Sequence, residues 1–360
     1  MSYMDQALTL ARHSLGEVHP NPPVGAVLVK NGKIIAEGIT QLPGGPHAEI
    51  VALAKLNYLA PGSIMYSSLE PCCHYGRTPP CTDAIIRAGV AEVHIAVLDK
   101  NPKVFSRGKD QLERAGIKVV VSEPSPVADQ LYEAYFKFIT TDLPFVTFKF
   151  ASSLDGKIAA SDGSSTWITG QDARDKVHLL RSESDAVMVG IGTVIADDPR
   201  LTARDSSGHL FDKQPIKIIV DSHCRISQDA KAITDDGMTL IVALDGQNVN
   251  KDRLKIRGVQ VIETSSFNGS VDLENMLSQL GSIGVTSVLF EGGGTLASSM
   301  MKQGLIDKII GFIAPCFIGG KNAPTPFDGD GFATLSSSQG LRDVSVQQVG
   351  SDIMVIGYPN

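Results

Sequence analysis

Short apolar strands alternate with helical segments along almost the whole chain, and this alternation restricts the fold more than any other feature of the sequence. It starts with two apolar runs, Val24–Lys30 and Lys33–Thr40, which Asn31-Gly32 joins in a predicted hairpin. A helix over His47–Leu59, apolar almost all round and therefore expected to be buried, precedes a strand over Ser63–Leu69. Alternation of this kind is typical of layered α/β domains, in which helices cover the faces of a sheet.

The alternation pauses once, at residues 123–144, where proline-containing runs flank a helical stretch. A length of 360 residues favours two domains, each large enough for its own core. We therefore expect one α/β domain at residues 1–143 and a second at residues 144–360. The second contains predicted strands at Phe145–Phe150, Ala186–Val189, Ile216–Asp221, Thr239–Ala243, Val259–Ile262 and Ser287–Glu291. Three final strands, expected to be antiparallel and to close the sheet, are Lys308–Ile313, Val344–Val349 and Ile353–Tyr358.

Charge and composition exclude several classes of partner. The net charge of −7 gives no general electrostatic affinity for nucleic-acid phosphates. Hydrophobic residues make up 42% of the chain, but no apolar stretch is long enough to span a membrane. The first residues, Met1–Asp5, lack the basic and apolar regions of a secretion signal. The sequence therefore predicts a cytoplasmic globular protein without nucleic-acid or membrane partners.

Three residues, His47, Cys72 and Cys81, have the chemistry of a catalytic zinc site. One imidazole and two thiolates leave a zinc ion one open position for water, whereas structural sites are usually closed by four protein ligands. Glu49, two residues after His47, can take a proton from that water and pass it to a leaving amine. The pattern matches that of zinc deaminases, although eight residues rather than two separate the cysteines. The Pro71-Cys72 context favours Cys72 over its neighbour Cys73 as the ligand.

Other interpretations of this half remain open from the residues alone. A closed structural zinc site would use Cys73 or His74 as its fourth ligand. Glu49 argues against it, because a carboxylate in an apolar, buried helix needs a partner or a purpose. Two further possibilities are a nucleotide or nucleic-acid deaminase with an unrelated C-terminal domain, and a zinc-stabilised binding protein whose second half is a non-catalytic nucleotide-binding module.

The second half has weaker local signals. A predicted strand that ends at Glu291 runs into Gly292-Gly293-Gly294-Thr295 and then a helix, an arrangement that lets backbone amides approach a phosphate. Gly190-Ile191-Gly192-Thr193 would suit a second wall of such a site. Arg181 and Arg204 suit an anionic ligand, since a guanidinium binds phosphate bidentately. The alternatives are an ordinary turn for the glycines and pairing with Glu183 or Asp205 for the arginines.

Several motifs together resemble a known family. The run from Glu70 to Cys81 (Glu-Pro-Cys-Cys-His-Tyr-Gly-Arg-Thr-Pro-Pro-Cys) and the upstream Asn21-Pro22-Pro23-Val24-Gly25 are similar to motifs of the bifunctional deaminase–reductases of riboflavin biosynthesis. So are Ala151–Lys157, Ser165–Thr169 and Asp198–Thr202 in the second half. The resemblance covers essentially the whole chain.

This resemblance implies a fold, two reactions and two cofactors. The fold would be a cytidine-deaminase-like α/β/α domain followed by a dihydrofolate-reductase-like α/β domain. A diaminopyrimidinone ribosylamine 5′-phosphate would be deaminated with the help of zinc, and the product would then be reduced from ribosyl to ribityl by NADPH. Members of the family form homo-oligomers, so we expect the same here.

The resemblance also implies roles for particular residues. Zinc would be held by His47, Cys72 and Cys81, with Glu49 as the proton shuttle. The pyrimidine or ribose-phosphate pocket would be lined by Asn21, His74, Arg77, Asp99 and Asn101. NADPH would contact Ala151, Trp167, Thr193, Asp197, Ser222, Gly293, Gly294 and Thr295. The reductase substrate would contact Lys149, Ser165, Arg181, Leu201, Arg204 and Glu291, with its phosphate on the arginines.

Two loops of the first half depart from the family pattern. The family often has a histidine near Thr40, where this chain has Thr40-Gln41-Leu42. Asp99-Lys100-Asn101-Pro102 replaces a more usual Asp-Pro-Asn-Pro, and Ser106 stands in place of a glycine. These two loops are therefore where we expect substrate contacts to differ from those of the family.

Overall fold

The computed structural model describes residues 2–76, 78–164, 168–235, 237–246, 251–256, 258–267, 269–329 and 331–360. Arg77, Ser165 and Trp167 of the predicted site residues lie outside this set. Contacts divide the chain into two units, Met1–Leu143 and Pro144–Asn360. Within the described ranges, no helix combines the length and apolar character needed to cross a lipid bilayer.

The first unit contains a five-stranded sheet and five helices. Its elements are α1 (Tyr3–His13), β1 (Gly25–Lys30), β2 (Lys33–Ile39), α2 (Ala48–Ala54), β3 (Ile64–Ser67), α3 (Cys81–Ala88), β4 (Glu92–Ile95), α4 (Arg107–Arg114), β5 (Lys118–Val121) and α5 (Pro126–Thr141). The strand order is β2-β1-β3-β4-β5. Strands β3, β4 and β5 are parallel, while β1 is antiparallel to both β2 and β3. Because β3 and β4 are parallel neighbours, the loops that follow them, which carry Cys72 and Asp99, leave the same edge of the sheet.

The predicted hairpin is confirmed, and it fixes the position of helix α2. Asn31 and Gly32 have φ values of 52° and 72°, as the tight turn between two antiparallel strands requires. Gly38 in β2 allows α2 to pack directly on the strand, since a Cβ there would lie 2.0 Å from the carbonyl oxygen of Ala48. This close approach holds the start of α2, and with it Glu49, against the sheet.

The predicted helix over His47–Leu59 is too long at its C-terminal end. Helix α2 stops at Ala54, and the chain then turns. Asn57 and Tyr58 both adopt left-handed backbone conformations, with φ of 52° and 58°, and the Tyr58 N–H donates to Leu53 O at 2.9 Å. Leu59 is 71% exposed, so the expectation that the whole segment is buried is wrong for its last residues.

Among its described residues, the second unit contains a nine-stranded sheet and a separate antiparallel pair of short strands. Its elements are β6 (Phe145–Ser153), α6 (Gln171–Glu183), β7 (Ala186–Gly190), α7 (Ile191–Asp197), β8 (Ile216–Val220), α8 (Lys231–Thr234), β9 (Thr239–Leu244), α9 (Lys251–Ile256), β10 (Gln260–Thr264), β11 (Ser266–Phe267), β12 (Ser270–Val271), α10 (Leu273–Ser282), β13 (Ser287–Phe290), α11 (Gly294–Lys302), β14 (Lys308–Ala314), a 3₁₀ turn (Leu335–Ser337), β15 (Leu341–Val349) and β16 (Asp352–Pro359). The strand order of the large sheet is β10-β9-β8-β7-β13-β6-β14-β16-β15, and β11 pairs with β12.

The antiparallel end of this sheet is confirmed. Strand β16 pairs antiparallel with both β14 and β15, whereas β14 itself runs parallel to β6. Strand β13 lies between β7 and β6 and is parallel to both. The segments that follow β13 and β7, and that begin helices α11 and α7, therefore leave the sheet side by side.

Candidate active sites

Three separate segments of the first unit bring the proposed zinc ligands together. His47 directly precedes α2, Cys72 lies in the loop after β3, and Cys81 is the first residue of α3. Pro80 occupies the N-cap position of α3, so Cys81 lies at the N-terminal end of that helix. The partial positive charge of a helix N-terminus favours a thiolate, but the hydrogen bond to Cys72 and burial outweigh it and raise the pKa of the Cys81 thiol.

The geometry of these side chains fits a metal ion. His47 Nδ1 lies 3.4 Å from Cys72 Sγ and 3.3 Å from Cys81 Sγ, and the three ligand atoms lie within 4.8 Å of one another. Hydrogen bonding by the Cys81 thiol, together with that from His47, lowers the pKa of Cys72 to about 4 against the opposing effect of burial. One imidazole nitrogen and two sulfurs are donors that zinc prefers. The residues present therefore fit zinc, with His47 binding through Nδ1.

A closed four-ligand site finds no support in the geometry. Among the residues that the structure describes, the metal-binding cluster comprises His47, Cys72 and Cys81 alone. The Cys73 sulfur instead lies 3.8 Å from the carbonyl oxygen of Lys103. His74 faces the cavity beside the cluster, so neither proposed fourth ligand joins the other three.

Glu49 lies beside the cluster with the properties of a proton carrier. Its side chain is on the first turn of α2, its residue is 3% exposed, and Oε2 lies 3.6 Å from Cys81 Sγ. Burial raises the pKa of Glu49, and the neighbouring His47 only partly offsets that effect. A carboxyl group with a raised pKa holds a proton more readily than an ordinary carboxyl group, which suits a group that takes up a proton and passes it on.

The cluster opens into a cavity of about 320 Å³. Four of the predicted pocket residues line it together with His47, Glu49 and Cys72: they are Asn21, His74, Asp99 and Asn101. The structure thus brings these side chains around one space, although they come from loops far apart in sequence. Three further polar residues, Glu70, Thr78 and Tyr135, also line it, and the sequence analysis assigned none of them to the pocket. Thr78 Oγ1 lies 3.4 Å from His47 Nε2, on the side of the ring away from the sulfurs.

Glu70 connects two loops that border this cavity. Its buried carboxylate accepts hydrogen bonds from the backbone N–H groups of Asp99, Ser106 and Lys109, at 3.2, 3.1 and 3.0 Å. The Glu-Pro-Cys run is thereby fastened to the Asp99–Ser106 loop and to the start of α4. Ser106, where the family has a glycine, has a φ of 57°, so the departure noted in the sequence falls on a left-handed residue.

A second cavity, of about 280 Å³, lies in the second unit. Seven predicted reductase residues line it: Lys149, Ala151, Thr193, Asp197, Glu291, Gly293 and Gly294. The walls of this cavity do not include Arg181, Leu201, Arg204, Ser222 or Thr295, all of which are described. Arg174, on helix α6, also lines the cavity, and no sequence motif marks it.

The two small-residue clusters of this unit meet at the second cavity. Gly292 and Gly293 have φ values of 141° and 93°, conformations that other residues rarely adopt. The Gly190 N–H, at the end of β7, lies 3.4 Å from the Gly292 carbonyl oxygen. The glycine run and the Gly190–Thr193 segment therefore form adjoining parts of one wall.

A buried ion-pair cluster centres on Glu291. Its carboxylate accepts two hydrogen bonds from Arg181, at 2.5 and 3.0 Å, and lies 2.9 Å from Lys149 Nζ. Burial alone would raise the pKa of Glu291, but the charges of Arg181 and Lys149 hold it well below its usual value. The partner of Arg181 is therefore Glu291 rather than the Glu183 that its place in the sequence suggested. Two cations against one carboxylate leave a net positive charge beside the cavity.

Arg204, the other arginine predicted to bind the substrate phosphate, has a different environment. Its Nε donates to Thr202 Oγ1 at 3.0 Å, and its Nη1 donates to the Gly208 carbonyl oxygen at 3.1 Å. Leu201 is buried nearby in a left-handed conformation, with a φ of 57°. Among the described residues Arg204 forms no ion pair with Asp205, the partner that its position in the sequence offered.

Comparisons with known proteins agree with this architecture. The family model of the cytidine and deoxycytidylate deaminase zinc-binding region matches residues 1–97, and the family model of the RibD C-terminal domain matches residues 144–355. The riboflavin biosynthesis protein RibD of Aquifex aeolicus (strain VF5) is 41% identical over 355 residues, covering 98% of this chain and 97% of that protein. The RibD of Escherichia coli (strain K12) is 37% identical over 366 residues, covering 98% and 97%.

Solved structures show the same similarity over the whole chain. An Acinetobacter baumannii RibD superposes with a TM-score of 0.86 at 36% identity, covering 99% of this chain and 98% of the other. A diaminohydroxyphosphoribosylaminopyrimidine deaminase/5-amino-6-(5-phosphoribosylamino)uracil reductase from Thermotoga maritima superposes with a TM-score of 0.87 at 33% identity, with the same coverage. These matches confirm the predicted fold class and agree with both predicted cofactors, zinc in the deaminase domain and NADPH in the reductase domain. The chain belongs to the RibD family of bifunctional riboflavin biosynthesis enzymes, in which a zinc-dependent deaminase domain precedes a reductase domain.

Proposed function

We propose that this chain catalyses two consecutive steps of riboflavin biosynthesis. The first is hydrolytic deamination of 2,5-diamino-6-ribosylamino-4(3H)-pyrimidinone 5′-phosphate by residues 1–143. The second is NADPH-dependent reduction of the ribosyl group of 5-amino-6-ribosylaminouracil 5′-phosphate to ribityl by residues 144–360. The observation that carries the proposal is the cluster of His47, Cys72 and Cys81, which opens beside Glu49 into a cavity, in a chain of RibD sequence throughout.

For the first step we assign His47, Cys72 and Cys81 to zinc. When bound, the metal supplies a water molecule of lowered pKa, which is a nucleophile at neutral pH. Glu49 accepts one proton from the attacking water and delivers it to the ring nitrogen. It then carries the remaining hydroxyl proton to the amine, so that the carbonyl forms as the C–N bond breaks, water is consumed and ammonia is released. Asn21, His74, Arg77, Asp99 and Asn101 hold the pyrimidine and its ribose phosphate.

For the second step the cofactor supplies the hydride, and the protein supplies orientation, charge and a proton. We assign the cofactor to Ala151, Trp167, Thr193, Asp197, Ser222, Gly293, Gly294 and Thr295. The opened sugar lies near Lys149 and Glu291 and also contacts Ser165 and Leu201. Arg181 and Arg204 are the proposed phosphate contacts. Arg204 is the more available of the two, because Arg181 already donates to Glu291 and to the Thr202 carbonyl oxygen.

The other functions considered from the sequence are less well supported. A nucleotide deaminase with an unrelated C-terminal domain conflicts with the RibD match over residues 144–355.

We also propose, on the sequence predictions above, that the enzyme is a cytoplasmic homo-oligomer without nucleic-acid or membrane partners.

The test is to supply the diaminopyrimidine substrate to the purified enzyme with and without NADPH and to identify the products. We expect ammonia and the uracil derivative without NADPH, and the ribityl product when NADPH is added. NADPH oxidation that did not depend on the deaminated intermediate would contradict the coupled pair of steps. An absence of ammonia from zinc-loaded enzyme would contradict the first step.

A further inference from the structure

Asp99, like Glu70, is a buried carboxylate of the deaminase cavity outside the zinc cluster, but unlike Glu70 it is contacted by another side chain. It lines the cavity and is 4% exposed. Its Oδ1 accepts the backbone N–H of Asn101 at 2.8 Å. Among the residues described here, no lysine or arginine forms an ion pair with it. An ionised carboxylate offers about four acceptor positions, so hydrogen-bonding capacity remains towards the cavity.

Tyr135 supplies the side-chain contact that orients this carboxylate. Its hydroxyl lies 3.2 Å from both Oδ1 and Oδ2 of Asp99. Tyr135 lies on helix α5, 36 residues after Asp99, and Ile139, one turn later, lines the same cavity. The Tyr135 hydroxyl, equidistant from the two oxygens, and the backbone N–H of Asn101 on Oδ1 together restrict rotation of the carboxylate.

We propose that Tyr135 is a substrate-positioning residue of the deaminase, which acts by holding the Asp99 carboxylate ready to accept hydrogen bonds from the N–H or O–H groups of a pyrimidine ribosylamine. The inference rests on the deamination proposed above. An ionised carboxylate can only accept hydrogen bonds. It therefore selects hydrogen-bond donors of the substrate: its amino group, a ring N–H or the ribose hydroxyls. Holding the carboxylate before the substrate arrives lowers the ordering cost of binding.

Helix α5 also offers a matched control. Tyr132 lies one turn before Tyr135, is fully buried, and donates its hydroxyl to Ser68 Oγ at 2.7 Å. Tyr132 does not line the cavity. Replacing either tyrosine by phenylalanine removes one hydroxyl, and the side-chain hydrogen bonding of that hydroxyl, from the same helix. The two variants therefore separate loss of a hydrogen bond from loss of substrate positioning.

The experiment compares Tyr135→Phe with Tyr132→Phe in the full-length, zinc-loaded enzyme. For Tyr135→Phe we expect the KM of deamination to rise about tenfold with kcat within about twofold, the pattern of an interaction made equally in the bound and transition states. Zinc content should stay unchanged. Tyr132→Phe should lower the melting temperature without raising KM. Equal kinetic constants for Tyr135→Phe and the native enzyme, or an equal KM increase in both variants, would overturn the proposal.

A double-mutant cycle with Asp99→Asn tests whether Tyr135 acts through Asp99. We expect Tyr135→Phe to add little to the KM of Asp99→Asn, because the group that it positions is already altered. Additive effects would show that Tyr135 acts independently of Asp99 and would overturn the inference. Failure of the native enzyme to release ammonia would instead reject the proposed deamination, so the two failures are distinguishable.

Discussion

The two cavities of this enzyme are built on different principles. The first gathers reactive side chains: an imidazole within 3.4 Å of two thiols, one of which lies 3.6 Å from a carboxyl oxygen. The second is walled by glycine backbone together with Lys149 and Glu291, and no thiol or imidazole of the described residues lines it. A metal site needs particular ligand types, whereas a site whose cofactor carries the hydride needs shape and charge. The difference explains why the first half has a plain sequence motif and the second does not.

The largest effect is expected from a substitution at Glu49, which should stop the chemistry of the first cavity and leave that of the second unchanged. Glu49→Gln removes the proton carrier but keeps the three metal ligands, so zinc should stay bound while deamination falls by about 10²- to 10⁴-fold. Reduction of the preformed uracil intermediate should continue at the native rate, since the two sites share no residue. We would measure zinc content, ammonia release and NADPH oxidation on one preparation. Normal ammonia release by the variant would contradict the role assigned to Glu49.

Glu291→Gln should produce a comparably large effect on stability in the second unit. The substitution leaves Arg181 and Lys149 without their shared carboxylate, and removal of one partner from a buried ion pair costs about 3–5 kcal/mol. Urea unfolding followed by the fluorescence of Trp167, the sole tryptophan, reports on this half of the chain. Glu274→Gln, an exposed position on α10, serves as the control and should change stability by less than about 0.5 kcal/mol. Equal effects of the two variants would show that the cluster contributes nothing to folding.

Arg204→Ala tests whether Arg204 binds the phosphate of the reductase substrate. Because a hydrogen bond to a charged group contributes about 1.5–3 kcal/mol, we expect the KM for the reductase substrate to rise at least about tenfold. The deaminase KM should not change. Arg114→Ala, an exposed arginine of the first unit, is the matched control. An unchanged KM for Arg204→Ala would remove this residue from the phosphate site.

Ser106→Gly should have the smallest effect and concerns the first unit. Ser106 has a φ of 57° and no side-chain capping hydrogen bond, so glycine relieves backbone strain without losing a helix cap. Glycine also has a more flexible unfolded state, and the net gain in stability should therefore stay below about 1 kcal/mol. Ser106→Ala keeps the strain and should give no gain. Thermal unfolding of the three proteins provides the measurement, and a destabilised Ser106→Gly would contradict the strain argument.

The zinc site was predictable from sequence because its chemistry is local to two short motifs. His47, Glu49, Cys72 and Cys81 were expected in one place, and the structure brings them together. Tyr135 was not predicted, because a helical pattern does not tell which of two tyrosines faces a cavity formed by a loop 36 residues away.

Long-range pairing limited the prediction in the second half. Sequence proximity offered Glu183 as the partner of Arg181, but the sheet places Glu291, 110 residues away, against its guanidinium. Helix α2 was predicted too long because apolar residues continue past Ala54 while the backbone turns left-handed at Asn57 and Tyr58. In both cases the decisive contact is tertiary and has no local pattern.

The coordination of the metal tests the central claim most directly, and X-ray absorption at the zinc edge measures it in the native enzyme. The three-ligand site predicts two sulfur neighbours at about 2.3 Å together with one nitrogen and one oxygen at about 2.0–2.2 Å. Exchange of the oxygen for a substrate-analogue atom should leave the sulfur count unchanged. A third sulfur or a second imidazole in place of the oxygen would contradict the open catalytic site.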